Sequence, residues 1–135
     1  MARYSVTKTI GFCYGHRLIG HKGKCRYLHG HNGLVEIEVE AEELNDLGVV
    51  MDFSDIRDMV KGWIDSNLDH RMILNRKDEP VPMLQELEEP MYLIDENPTA
   101  ENISKLIYGQ ARGMGIDVKE VRLWETPSSY AAYRE

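Results

Sequence analysis

The chain holds five histidines, and three of them, His16, His29 and His31, crowd into sixteen residues. His29 and His31 flank Gly30 at the head of an alternating apolar and acidic segment, and on an extended strand side chains two apart project to the same side. Such a pair can chelate. With His16 supplied from the end of a preceding strand, three neutral imidazoles can surround a divalent ion and leave a fourth tetrahedral position open. That arrangement favours zinc, and it favours catalysis over structure. Cys25 is the competing fourth ligand, since a thiolate there would close the site and make it structural. His21 reads as a spare, solvent-exposed histidine.

Cys25 also lies in a loop with Lys22, Lys24 and Arg26. Nearby cations lower a thiol's pKa, and a thiolate near neutrality can serve as base or nucleophile. Cys13, between Phe12 and Tyr14, reads as a small core residue. Asp69-His70 offers an imidazole beside a carboxylate, which is either a proton shuttle or a helix-ending turn. Glu125 stands at the end of the last strand. There a carboxylate presents two acceptors to adjacent N–H donors of a planar base, or is a plain surface glutamate.

These residues need a scaffold, and 135 residues make one domain, spanning 1–135. At 42% hydrophobic and 29% charged residues the chain is neither disordered nor low-complexity. The net charge of −7 argues against nonspecific nucleic-acid binding. That charge is uneven: the first 35 residues carry six basic and no acidic residues, while the remainder carries 10 basic and 23 acidic ones. The basic segment reads as a receiver for a small anion, or as a strand edge protected by lysines. No apolar run suffices for a bilayer helix and no signal-peptide pattern opens the chain, so no membrane partner and a cytoplasmic location with reduced cysteines are expected.

Residues 3–13 read as a strand, and Leu34 to Glu42 as a clearer one, with Val35, Ile37, Val39 and Ala41 alternating with glutamates. Asn45-Asp46-Leu47-Gly48 signals a turn, and Val49 to Phe53 is expected to continue as a hairpin partner. Ser54 is the expected N-cap of a helix of about three turns carrying Ile56, Met59, Val60, Trp63 and Ile64. Leu68 to Pro98 reads as irregular, with Met91 to Ile94 as a candidate extra strand. Pro98-Thr99 opens a second helix with Ile103, Leu106 and Ile107 inward, ended by Gly113 and Gly115. A final strand covers about Asp117 to Glu125. The class is α+β, with helices on the one apolar face of the sheet.

The chain resembles the 6-pyruvoyl-tetrahydropterin synthase and 6-carboxytetrahydropterin synthase family. The resemblance rests on Gly15-His16-Arg17-Leu18, Cys25-x3-His29-Gly30-His31-Asn32, Val50-Met51-Asp52-Phe53, Leu68-Asp69-His70 followed by Leu74-Asn75, Pro98-Thr99-Ala100-Glu101-Asn102, and Glu125-Thr126-Pro127. It implies the tunnelling fold: a four-stranded antiparallel sheet with two helices on one face, assembling into a trimeric barrel and then a hexamer. Active sites shared between subunits follow, with a lumen for the acidic face to line. By position it implies Zn2+ held by His16, His29 and His31, Cys25 as the proton-abstracting base, and His70, oriented by Asp69, as the second acid/base group. Glu125 is the implied pterin anchor, with Thr99, Glu101, Lys24 and Arg26 as further substrate contacts.

The implied substrate is 7,8-dihydroneopterin triphosphate, whose triphosphate suits the basic loop. The implied reaction is that of a zinc-dependent lyase yielding 6-carboxy-5,6,7,8-tetrahydropterin, with release of acetaldehyde and triphosphate, on the route to 7-deazaguanines such as queuosine. The biopterin branch, which eliminates triphosphate to give 6-pyruvoyl-tetrahydropterin, is the alternative. From another class, a noncatalytic zinc module closed by Cys25 is opposed by the family pattern and the acidity. An aldolase- or cyclohydrolase-like relative is opposed by missing motifs. Cys13-Tyr14-Gly15 and the longer stretch between Asn75 and Pro98 depart from many members and bear on the pocket rim.

Overall fold

The computed structural model describes residues 3–135. Its backbone is a six-stranded sheet in the order β4-β3-β1-β2-β5-β6. β1 (Tyr4–His16) and β2 (His29–Ala41) pair antiparallel over their whole length, from Tyr4 opposite Ala41 to His16 opposite His29. Alternation assigns the two faces. Ile10, Phe12, Tyr14 and His16 of β1 are buried together with Val35, Ile37 and Val39 of β2. β5 (Val118–Thr126) pairs antiparallel with β2 and adds Val121 and Leu123 to the same side.

The expected four-stranded antiparallel sheet is corrected on both counts. β3 (Arg71–Asn75) lies parallel to β1, and β4 (Met91–Ile94) parallel to β3, so the sheet is mixed. Between these two strands, where irregular chain was expected, Pro80 and Pro82 bracket the start of a short helix, α3 (Val81–Glu86). Prolines hide short elements by interrupting any period, yet Ile73 and Leu74 are fully buried. The sixth strand, β6 (Ser129–Tyr133), forms a hairpin with β5 around Thr126-Pro127-Ser128, a turn that reads in sequence as the end of the last strand.

The expected hairpin partner at 49–53 is not a strand; residues 49–52 run as loop, with Val50 and Met51 packed on the core. Asp52 rather than Ser54 is the helix cap, its carboxylate accepting the Ser54 N–H at 2.8 Å. The helix is longer than expected: α1 (Phe53–Ile56), a π-helical stretch (Arg57–Lys61) and α2 (Gly62–Asn67) follow without a break. Ile56, Val60, Ile64 and Leu68, spaced by four, form its buried stripe. α4 (Ala100–Gly113) is capped by Thr99, whose hydroxyl accepts the Asn102 N–H at 3.1 Å, and it buries Ile103, Ile107 and Ala111. Both helices join one core with the apolar sheet face, which is the layering the pattern predicted. Among the described residues no helix is long and apolar enough to cross a membrane.

Candidate active site

The β1–β2 register builds the histidine cluster. His16 faces His29 across the ladder, and His31 faces Tyr14 one step further along the same side. The three ring centroids lie 4.5–5.1 Å apart, and one ligand atom from each ring falls within 4.8 Å of the others. Two rings are oriented by backbone carbonyls: His16 Nδ1 lies 2.6 Å from Pro98 O, and His29 Nδ1 lies 2.7 Å from Tyr27 O. A carbonyl only accepts, so each Nδ1 carries the proton and each Nε2 presents a lone pair, the tautomer a metal ligand needs. Burial, aided by the two neighbouring imidazoles and opposed by the Pro98 carbonyl, pushes His16 down to about 4, so its ring is neutral at physiological pH.

Three buried side-chain atoms in the described residues have no hydrogen-bond partner: His16 Nε2, His31 Nε2 and the Tyr14 hydroxyl. An unpaired buried acceptor costs roughly 1–3 kcal/mol, so two of them facing one spot mark a place built to be filled. A divalent cation fits this donor set, and zinc suits three imidazoles. Glu125 borders the cluster. Its carboxylate oxygens lie 3.8 Å from His16 Nε2 and 3.9 Å from His31 Nε2. It sits one residue past the last β2–β5 pair, Leu34 with Trp124, where the β5–β6 register also shifts. Such irregularities re-aim side chains beside functional sites. Cys25 is not part of the imidazole cluster, which removes the geometric basis for a closed His3Cys site.

Asp69 and His70 form a dyad, with His70 Nδ1 2.9 Å from Asp69 Oδ2. Adjacent side chains on an extended strand would diverge, but His70 takes a left-handed φ of 59° that brings them together just after the helix ends. The helix-ending turn is thus present, and it sets the imidazole against the carboxylate. Cys13 locks the turn: its N–H donates to Asp69 Oδ1 at 3.0 Å, and its carbonyl accepts the His70 N–H at 2.8 Å. The Cys13 thiol thus stands beside the dyad on the face away from the core, contrary to the expected core placement, because its parity opposes that of Phe12 and Tyr14. Burial pushes the Asp69 carboxyl up, but the Cys13 N–H and His70 outweigh it and hold it below the usual range.

His29, His31 and His70 line one cleft of about 620 Å³, together with Arg71, Met72 and Glu89. Cys25 is not among its lining residues. It sits half-buried in the 3-10 turn Lys24–Arg26, its carbonyl accepting the Leu18 N–H at 2.8 Å. Lys22 and Lys24 are exposed. Arg26 is occupied within its own loop, donating to Lys22 O at 2.8 Å and resting on the Tyr27 ring at 4.4 Å. Arg17 is held by buried Asp78 through bonds of 2.8 and 2.6 Å. His21 is exposed as expected, its ring accepting the Gly23 N–H. Glu101 is exposed in the first turn of α4, and the Thr99 hydroxyl is engaged as the cap. The sequence places Tyr14 only in a stretch bearing on the pocket rim and Pro98 only at the start of a helix, and gives neither a contact with the histidines. The parity of Tyr14 with His16 was the available signal for the first; nothing local announces a carbonyl 82 residues from its histidine.

The six-stranded sheet, with helices over one face and imidazoles at one end, is an arrangement shared with solved proteins. An uncharacterized protein from Wolinella succinogenes aligns at a TM-score of 0.84 with 28% identity, covering 100% of this chain and 99% of that one. The 6-pyruvoyl tetrahydropterin synthase of Caenorhabditis elegans shares the fold at a TM-score of 0.74 and 20% identity, over 100% and 97%. The chain belongs to the 6-pyruvoyl tetrahydropterin synthase family, whose model matches residues 5–135. It is similar to proteins named 6-carboxy-5,6,7,8-tetrahydropterin synthase from Rickettsia felis (40% identical) and Rickettsia bellii (38%), each over 92% of this chain and 95% of the relative. The protein of that name from Haemophilus influenzae is 31% identical over 98% and 99%.

Proposed function

We propose that this one-domain chain is a zinc-dependent 6-carboxy-5,6,7,8-tetrahydropterin synthase, a lyase acting on 7,8-dihydroneopterin triphosphate with release of acetaldehyde and triphosphate, on the route to 7-deazaguanines. The observation that carries this reading is the pair of buried, unpartnered Nε2 atoms of His16 and His31 turned toward Glu125. The name shared by relatives of 38–40% identity supports the choice of branch. His16, His29 and His31 hold the zinc, which, when bound, supplies Lewis acidity to side-chain hydroxyls of the substrate.

The chain's own residues do the rest. Glu125 grips the N–H edge of the pterin with its two acceptors. Cys25 removes a proton from the substrate side chain. His70, its Nδ1–H held by Asp69, returns protons from Nε2. Lys24, with Arg26 beside it, meets the triphosphate, while Thr99 and Glu101 border the site from the start of α4. In one protomer Cys25 lies outside the cleft that His70 lines, and sharing of sites between subunits of a trimeric barrel, doubled to a hexamer, reconciles the two positions.

Incubating zinc-loaded protein with 7,8-dihydroneopterin triphosphate tests the reading, with acetaldehyde and triphosphate as products. Triphosphate with 6-pyruvoyl-tetrahydropterin and no acetaldehyde would move the chain to the biopterin branch, after which its family is described. Neither product would refute the lyase reading.

A further inference from the structure

Zinc accounts for the two orphaned nitrogens, but nothing so far accounts for the third orphan, the hydroxyl of Tyr14. The residue is 3% exposed, and its hydroxyl has no hydrogen-bond partner in the described residues. Its ring cannot swing elsewhere. It stacks on Phe12 at 5.1 Å, meets His16 edge-on at 5.3 Å and leans on His31 at 5.6 Å. On its fourth side it fills the space that Gly33 leaves open: a Cβ at position 33 would meet Tyr14 Cε1 at 2.9 Å and Leu123 Cδ1 at 3.2 Å. Continuing the β2–β5 register one step past Leu34 and Trp124 brings Gly33 level with Glu125. The hydroxyl is therefore fixed in a pocket whose other functional members are His16, His31 and Glu125.

A phenol needs an acceptor. The Nε2 lone pairs of His16 and His31 are the ones a metal takes, which leaves the Glu125 carboxylate. That side chain is 30% exposed and sits at a strand irregularity, so it can reorient where the tyrosine cannot. Its charge also acts on the phenol, adding to the upward push of burial on the hydroxyl's pKa. We propose that Tyr14 is a positioning residue whose neutral O–H donates to the Glu125 carboxylate in the filled site, fixing the angle at which Glu125 meets a planar N–H edge. This rests on the reading of Glu125 as the substrate anchor. It explains why a buried aromatic at this position carries a hydroxyl: carboxylates close to a metal site are commonly held by hydrogen bonds of their own.

Tyr14→Phe retains the ring and removes only the donor. In zinc-loaded protein, the affinity for neopterin, read from its fluorescence, is expected to fall about tenfold, the effect of losing a hydrogen bond to a charged group. KM for the triphosphate substrate should rise by about the same factor, with kcat changed less than about twofold. In a Glu125→Ala background the same change should alter neopterin affinity by less than about twofold. The melting temperature of the zinc-loaded protein should drop by about 4 °C on Tyr14→Phe, and stay unchanged in the Glu125→Ala background. Equal effects in both backgrounds, or none in either as for a hydroxyl satisfied by water, would overturn the pairing. Should the wild type fail to bind neopterin, the pterin reading falls, and the melting temperatures alone still decide whether Tyr14 and Glu125 are coupled.

Discussion

The two faces of the sheet treat polar groups in opposite ways. On the face away from the helices, Glu36, Glu38 and Glu40 of β2 stand in one row, and each has found partners. Arg122 reaches Glu36, Glu38 and Glu120, while Glu40 is shared by Arg3 and Lys119. Trp124 donates to Glu36 as well. On the core face, at the His16 end, the polar groups are fewer, yet three buried atoms there lack any partner among the described residues. The charged groups of one face are therefore paired within the chain, while unmet hydrogen-bonding capacity gathers at the imidazoles of the other.

The contrast can be tested from both sides. The greatest loss is expected at the core face. His16→Ala should reduce bound zinc from about one per chain to near zero by elemental analysis and abolish turnover, since a two-imidazole site holds zinc poorly; retained stoichiometric zinc would mean that the ion binds elsewhere. Cys25→Ala is expected to keep its zinc and lose turnover by roughly 10²–10⁴-fold, the usual worth of a positioned acid–base group. Loss of the metal in that variant would revive the closed, noncatalytic site. Glu125→Gln should raise KM about tenfold with zinc content intact, and an unchanged KM removes its anchor role.

The acidic face should answer differently. Arg122→Met should leave zinc and turnover unaltered while lowering stability by about 1–2 kcal/mol, through repulsion among the glutamates left behind; an activity loss in a fully folded variant would break the division of labour. The smallest effect concerns pH and Asp69. Because the folded protein holds this carboxyl below its ordinary value, its ionised form adds stability that is complete above that value and disappears as pH falls through the depressed one. The stability gap between wild type and Asp69→Asn, from denaturant titrations, should therefore narrow as pH falls from neutral through and below the ordinary aspartate range. A gap independent of pH would show that ionisation at Asp69 contributes nothing.

The histidine trio of the core face is readable from spacing. A period of two places His29 and His31 on one side, the long alternation of β2 fixes which side is dry, and His16 shares the parity of Ile10 and Phe12. The same parity rule correctly applied would have excluded Cys13 from the core and flagged Tyr14. Other features lay beyond local pattern. β4 falls on the candidate strand Met91–Ile94, but β3 is short and its apolar run is equally compatible with loop or helix, and the parallel pairing of the two strands has no local signal. The dyad depends on a left-handed histidine, which the residue type alone does not announce. The Arg17–Asp78 and His16–Pro98 contacts join residues 61 and 82 positions apart, a separation at which a single sequence gives no register.

The His16–Pro98 contact has a dynamic consequence. Pro98 immediately precedes the residue that caps α4, so the imidazole that would grip the ion also leans on the first turn of a long helix. Filling the site is expected to steady that turn. Amide deuterium uptake at Asn102 and Ile103 should slow when zinc is added and quicken when it is stripped, giving a readout of loading that requires no substrate.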